Sequence, residues 1–282
     1  MKAIIELQSL TGRAALARKV LFANSRLGAV ILAALAVSMV CSAVGAAPIN
    51  YGSFSGNTVD YLDVSEDANS AGDVPPLFGP PSVSGDSIDF DPVGFAASAS
   101  GAFGNDLTDG NLSFMVDAHT GYAINNIQLA EAGDFTLLGF GTNATFVGVT
   151  AVGLIDIHEV DGVGIDTITR PFALAFTPSG GTFGQLTDGG GGPLLNGNWS
   201  GFLSININQI LTEENEPFIL GATKITINLD NSLSALSEAG TSSLIAKKSF
   251  GGLSVTVNVP EPTTLVLGGM VLAMGLLRRR FV

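Results

Sequence analysis

The chain predicts an all-β protein, an antiparallel β-sandwich of jelly-roll type with short helical segments, on three observations. Apolar residues recur with period two through many short runs, as they do in strands with one buried face. Asx-Gly pairs and Gly-rich clusters separate those runs at near-regular spacing, the punctuation that antiparallel connections need. Helical periodicity is nearly absent. A jelly roll is preferred over an immunoglobulin-type sandwich because no pair of cysteines brackets a tryptophan; the chain has one Cys and one Trp.

The elements follow in order. Strands are expected at 58–64 and 87–90, and between them residues 68–85, with Pro75-Pro76 and Pro80-Pro81, read as a loop packed over the sandwich. Leu112-Phe114-Val116 alternates with Ser113 and Met115. Strands over 124–131 and 134–140 flank a hairpin at Glu131-Ala132-Gly133-Asp134, and strands over 144–150 and 152–159 follow a turn from Gly139 to Asn143. Asp161-Gly162 marks the next turn, Phe172-Leu174-Phe176 alternates with alanines, and Asp188 to Gly192 is a flexible loop. Trp199, Gly201, Leu203 and Ile205 share one phase, which places Trp199 in the core. Asn208 to Glu214 suits one or two amphipathic turns, and Leu233 to Leu244 a short crossover helix broken at Gly240. Ile225-Ile227-Leu229 and Leu253-Val255-Val257-Val259 complete the strands. No internal repeat is found, so residues 47–258 form one domain.

Two segments bracket it. Residues 1–26 hold five basic residues against Glu6, and Leu27 to Val40 is apolar. These are the n- and h-regions of a signal helix within residues 1–46, with Val44-Gly45-Ala46 before a cut between Ala46 and Ala47. Cys41 does not make a lipoprotein box, because Val40 stands where a small residue is wanted. At the other end, residues 259–282 hold Val259-Pro260-Glu261-Pro262, an uncharged run from Thr263 to Leu277, and Arg278-Arg279-Arg280. The prolines keep the first part extended and open to a processing enzyme. The run forms a C-terminal hydrophobic helix shorter than the roughly 20 residues of a stable span. The three arginines hold its end on the cytoplasmic side.

That order of Pro-Glu-Pro, short hydrophobic segment and terminal arginines resembles the PEP-CTERM sorting signal. The resemblance implies export by the Sec machinery, cleavage by signal peptidase, recognition by an exosortase in the inner membrane, and cutting near Pro260-Glu261-Pro262. The protein would pass from the inner membrane to the cell surface or extracellular matrix, in a structural or adhesive role linked to exopolysaccharide or biofilm. The first half, through Leu77-Phe78-Gly79-Pro80-Pro81, Asp89 to Phe95, Asp106 to Leu112 and Glu131 to Phe135, also resembles the globular part of such proteins. That likeness is less specific and implies a β-rich exported module with no assigned activity.

Without its bracketing segments, the domain keeps four basic residues, Arg170, Lys224, Lys247 and Lys248, against 23 acidic ones, a net charge of −19. Such a surface is unsuited to nucleic acid or anionic lipid and leaves cations, basic proteins and neutral glycans as partners. Losing Cys41 leaves no disulfide, so stability must come from a core.

His119 and His158 are too few for a zinc site, and no Gly-x-Ser-x-Gly elbow is present. A non-enzymatic role is therefore expected. The acidic segments suit a structural calcium, which takes six to eight oxygens from carboxylates and loop carbonyls. Asp60, Asp63, Glu66, Asp67, Asp106 and Asp109 are the candidate ligands, without EF-hand or repeat spacing. The alternative function is a secreted carbohydrate-binding or carbohydrate-active jelly roll supported by calcium.

Overall fold

The computed structural model describes residues 47–68, 72–92, 94–185, 195–248 and 253–258. Ala46, the signal segment, the 188–192 loop, Val259 to Pro262 and Arg278 to Arg280 lie outside these residues. The strands are β1 (Ile49–Ser55), β2 (Val59–Ala68), β3 (Ser82–Ser84), β4 (Ser87–Phe90), β5 (Ala96–Ser100), β6 (Gly104–Ala118), β7 (Asn126–Leu138) and β8 (Phe146–Val160). They continue with β9 (Val163–Ala173), β10 (Ala175–Thr177), β11 (Thr182–Gly184), β12 (Asn196–Asn206), β13 (Ala222–Ser237), β14 (Ser242–Lys247) and β15 (Leu253–Asn258), with one α-helix among the described residues, α1 (Ile207–Glu213).

The strands form an antiparallel sandwich. A seven-stranded sheet runs β1-β2-β6-β13-β8-β11 with β9 also on β8, and an eight-stranded sheet runs β10-β12-β7-β15-β4-β3 with β14 also on β7 and β5 on β14. The period-two pattern explains the layering. Tyr61, Leu112, Phe114, Val116, Ile155, Ile157, Ile225, Ile227 and Leu229 of the first sheet are buried. They face Ile88, Phe90, Ile127, Leu129, Phe135, Leu137, Trp199 and Ile245 of the second. Each such side chain contributes about 1.5–3 kcal/mol by leaving water. Edge-on ring pairs tie neighbouring strands within each sheet, Tyr61 with Phe114 at 6.0 Å and Phe176 with Trp199 at 5.9 Å, while Phe135 of the second sheet stacks on Phe183 of the first at 4.4 Å. Trp199 is a core residue, as its phase predicts.

The structure corrects three local expectations. Residues 131–134 are not a hairpin: β7 runs straight through them, and Gly133 serves a close approach instead, because a Cβ there would run into the Ala246 carbonyl and the Trp199 ring. The two strands expected over 144–159 are one, β8. Leu233 to Leu244 is not helical; β13 alternates through Leu233, Ala235 and Ser237, turns at 238–241 and enters β14. Long-range pairing of β13 with both β6 and β8 outweighs the local helical spacing.

Other readings hold. The Gly139 to Asn143 and Asp161-Gly162 turns are present, and Asp161 and Gly162 both adopt positive φ, 52° and 77°. The Asn208–Glu214 expectation meets α1, capped by the Asn206 side chain, which accepts from the Gln209 amide at 2.9 Å. The 68–85 loop ends in the β3–β4 hairpin and packs Leu77 and Phe78 into the core. Among the described residues no helix is long and apolar enough to cross a membrane.

Candidate functional site

The carboxylates singled out in the sequence are distributed by strand alternation. Asp60 lies on β2 and pairs with His119 at 3.1 Å, and its carboxyl is held below the usual range first by that contact and then by Ser55. Asp63 sits in a bulge with φ of 53°. Glu66 points the other way, into the interior. Its oxygens accept from the backbone amides of Leu77, Phe78 and Gly79 at 2.6, 3.1 and 3.2 Å and from the Tyr51 hydroxyl at 2.8 Å. It is a clamp on the Pro-rich loop, and those donors occupy the oxygens a cation would need.

Asp67 lies opposite Asn111, and its carboxylate accepts from the Ala68 amide. Asp106 accepts from the Ser98 amide at 2.8 Å. Asp109 contacts Asp230 across the β6–β13 ladder, accepts from Ser232 and donates its amide to Asp73. Burial, then the hydrogen bond and negative charge of Asp230, push the Asp109 carboxyl up to about 6. Two carboxyls in direct contact are closer than the ~5 Å separation of a retaining glycosidase. Among the described residues no group of three or more His, Cys, Asp or Glu is arranged to hold a metal ion. His158 is tied to Thr226 at 2.9 Å and to Thr167.

The outer face of the eight-stranded sheet offers a different chemistry. On β12 the residues alternate so that Trp199 and Gly201 turn inward while Asn198, Ser200, Phe202 and Ser204 are exposed. Phe202 remains 53% exposed. Its cross-strand neighbours are Ala175 on β10 and Ala130 on β7, neither large enough to cover the ring. One step along the ladder, Ser200 lies between Thr177 and Ala132, and its hydroxyl meets that of Thr177 at 3.1 Å.

Beside this row is a recess of about 680 Å³ lined by Thr177, Pro178, Asn198, Trp199, Ser200 and Lys248, with Ala132 and Gly133. Lys248 pairs with Asp134 at 3.1 Å, both partly exposed. The site thus combines one open aromatic surface with hydroxyl and amide groups and a neutralised charge. Phase in 199–207 announces the inward Trp199; that its neighbour Phe202 is uncovered depends on alanines far away in sequence. A second groove, about 310 Å³ between Phe172, Leu203, Ile205 and α1, lies at the sandwich edge under Arg170, which pairs with Glu214.

No family model matches the chain, and no curated protein matches it. Among solved structures, it is similar to the enzymatically active domain of bacteriophage CBA120 tailspike protein 4, at 12% identity and a TM-score of 0.20, over 73% of this chain and 19% of that one. It is also similar to TmCBM61 in complex with beta-1,4-galactotriose, at 11% identity and 0.18, over 55% and 70%. A third is a loop-swap mutant of Necallimastix patriciarum Xyn11A, at 11% and 0.22, over 73% and 94%. The chain spans about a fifth of the tailspike domain's length.

Proposed function

We propose that this is an exported, non-enzymatic protein of the cell envelope or extracellular matrix that holds neutral polysaccharide on the outer face of its eight-stranded sheet. The observation that carries the reading is Phe202, half exposed between Ala130 and Ala175 and on the same strand as Asn198 and Ser200, which with Thr177 line a neighbouring recess. An open ring stacks on the C–H face of a pyranose, and hydroxyl and amide side chains exchange hydrogen bonds with its OH groups. The net charge of −19 disfavours acidic polymers. Export and processing through the Pro260-Glu261-Pro262 tail would deliver the domain to where such polymers are.

The test of binding is affinity electrophoresis of the processed protein through gels holding neutral polysaccharides, with reducing-sugar release measured in parallel. Retention without release is expected, and Phe202→Ala should abolish retention with an unchanged melting temperature. Equal migration in all gels, or release of reducing sugar, would overturn the reading. For sorting, alanine at Pro260, Glu261 and Pro262 should leave an uncleaved, membrane-held precursor; unchanged processing would refute the tail's role.

A further inference from the structure

Between the two sheets, where the apolar pattern would predict only hydrocarbon, three polar side chains meet. Lys247 is the last residue of β14, Glu131 lies on the neighbouring β7, and Asn231 projects inward from β13 of the opposite sheet. All three are 0–3% exposed. The Lys247 ammonium donates to Glu131 and, at 2.5 Å, to Oδ1 of Asn231. Because a C=O bond is about 1.2 Å long, Cγ of Asn231 is within about 3.7 Å of Nζ, near attack distance. The rings of Phe95 and Phe78 flank the nitrogen at 5.0 and 5.5 Å and are themselves buried. Nδ2 of Asn231 and Oε1 of Glu131 have no hydrogen-bond partner among the described residues. A buried amide donor without an acceptor is unfavourable, and it stands on the atom that an acyl transfer would expel.

We propose that Lys247 and Asn231 join in an intramolecular isopeptide bond with Glu131 as the proton relay, tying the two sheets together covalently. Burial lowers the Lys247 ammonium and raises the Glu131 carboxyl, so both are drawn toward their neutral forms, amine and acid. The Nζ lone pair attacks Cγ, and the carbonyl electron pair moves onto Oδ1. As the carbonyl re-forms, the Cγ–Nδ2 bond breaks. Glu131 gives its proton to the departing Nδ2 and takes one from Nζ, so it ends as it began. One C–N bond forms, one breaks, ammonia leaves, and nothing is oxidised or reduced. The phenyl rings exclude the water that would otherwise hydrolyse the activated amide.

The inference rests on this interior geometry and is independent of polysaccharide binding. It also suits a mature domain without cysteine, since the tie needs no oxidant. The experiment is peptide mass mapping of the processed protein after denaturation and digestion with an Asp/Glu-specific protease. Cutting after Asp230 and Glu238 separates Asn231 from Lys247 in the backbone. A single branched peptide joining the two segments, lighter than both together by one ammonia, is expected. Two linear peptides, with Asn231 intact or converted to Asp, would overturn the bond. Glu131→Gln, expressed in the same cells, should give the linear peptides; a branched peptide there would overturn the relay.

Discussion

Glu66 is where the sequence and the structure assign one carboxylate to different tasks, and its replacement has a calculable effect. Its two oxygens receive three backbone amides and one phenolic hydroxyl at 2.6–3.2 Å, and the side chain is 1% exposed. In Glu66→Gln one oxygen becomes an NH2 group, which faces amide donors and accepts nothing. The remaining oxygen can serve about two of the four donors, so at least one backbone amide of Leu77 to Gly79 is left buried and unpaired. An unsatisfied buried donor costs about 1–3 kcal/mol, and hydrogen bonds to a charged acceptor are each worth about 1.5–3 kcal/mol. A loss of about 3 kcal/mol is expected for Glu66→Gln, and about 5 kcal/mol for Glu66→Leu, which keeps no acceptor. Urea unfolding followed by the single tryptophan measures this as a shift in midpoint at constant slope. Native-state hydrogen exchange at Leu77, Phe78 and Gly79 should accelerate in the same variant. A midpoint change worth less than about 1 kcal/mol for Glu66→Gln, with amide protection intact, would refute the clamp.

Other consequences can be measured with the same protein. Asn231→Ala removes the acyl carbon of the proposed bond; a tie closing a loop of this length contributes about 3 kcal/mol by chain entropy, so the urea midpoint should fall by at least that equivalent. For Asp109, the folded pKa of about 6 is above that of an unfolded aspartate, so the folded state binds the extra proton. Stability should decline as pH rises from about 4 through about 6 and then level off. Asp109→Asn removes that penalty, and its melting temperature should exceed the parent's at pH 8 but not at pH 4. Since the group is partly solvated, solvent screening reduces the effect to about 1 kcal/mol. Gly133→Ala forces a methyl against the Ala246 carbonyl and the Trp199 ring, which should lower stability by about 1–3 kcal/mol and shift tryptophan emission; an unchanged spectrum and midpoint would contradict the packing.

The amino-acid sequence by itself determined which residues face inward. Period-two alternation is a local property of a pleated strand, so Leu112, Phe114, Ile225, Ile227 and Trp199 could be assigned to the core without knowing their neighbours. Turn chemistry was equally local at Asp161-Gly162. Tertiary structure alone decided what each inward or outward position meets. Gly133 reads as a turn until Trp199 is laid across it, Glu66 reads as a calcium ligand until a loop places three amides against it, and Leu233 reads as helical until β6 and β8 pair on either side of its strand. The exposure of Phe202 and the meeting of Glu131, Asn231 and Lys247 depend in the same way on register between distant strands. A strand's alternation specifies a face, whereas pairing partners are selected by the free energy of the whole sandwich, and that sum has no local signature.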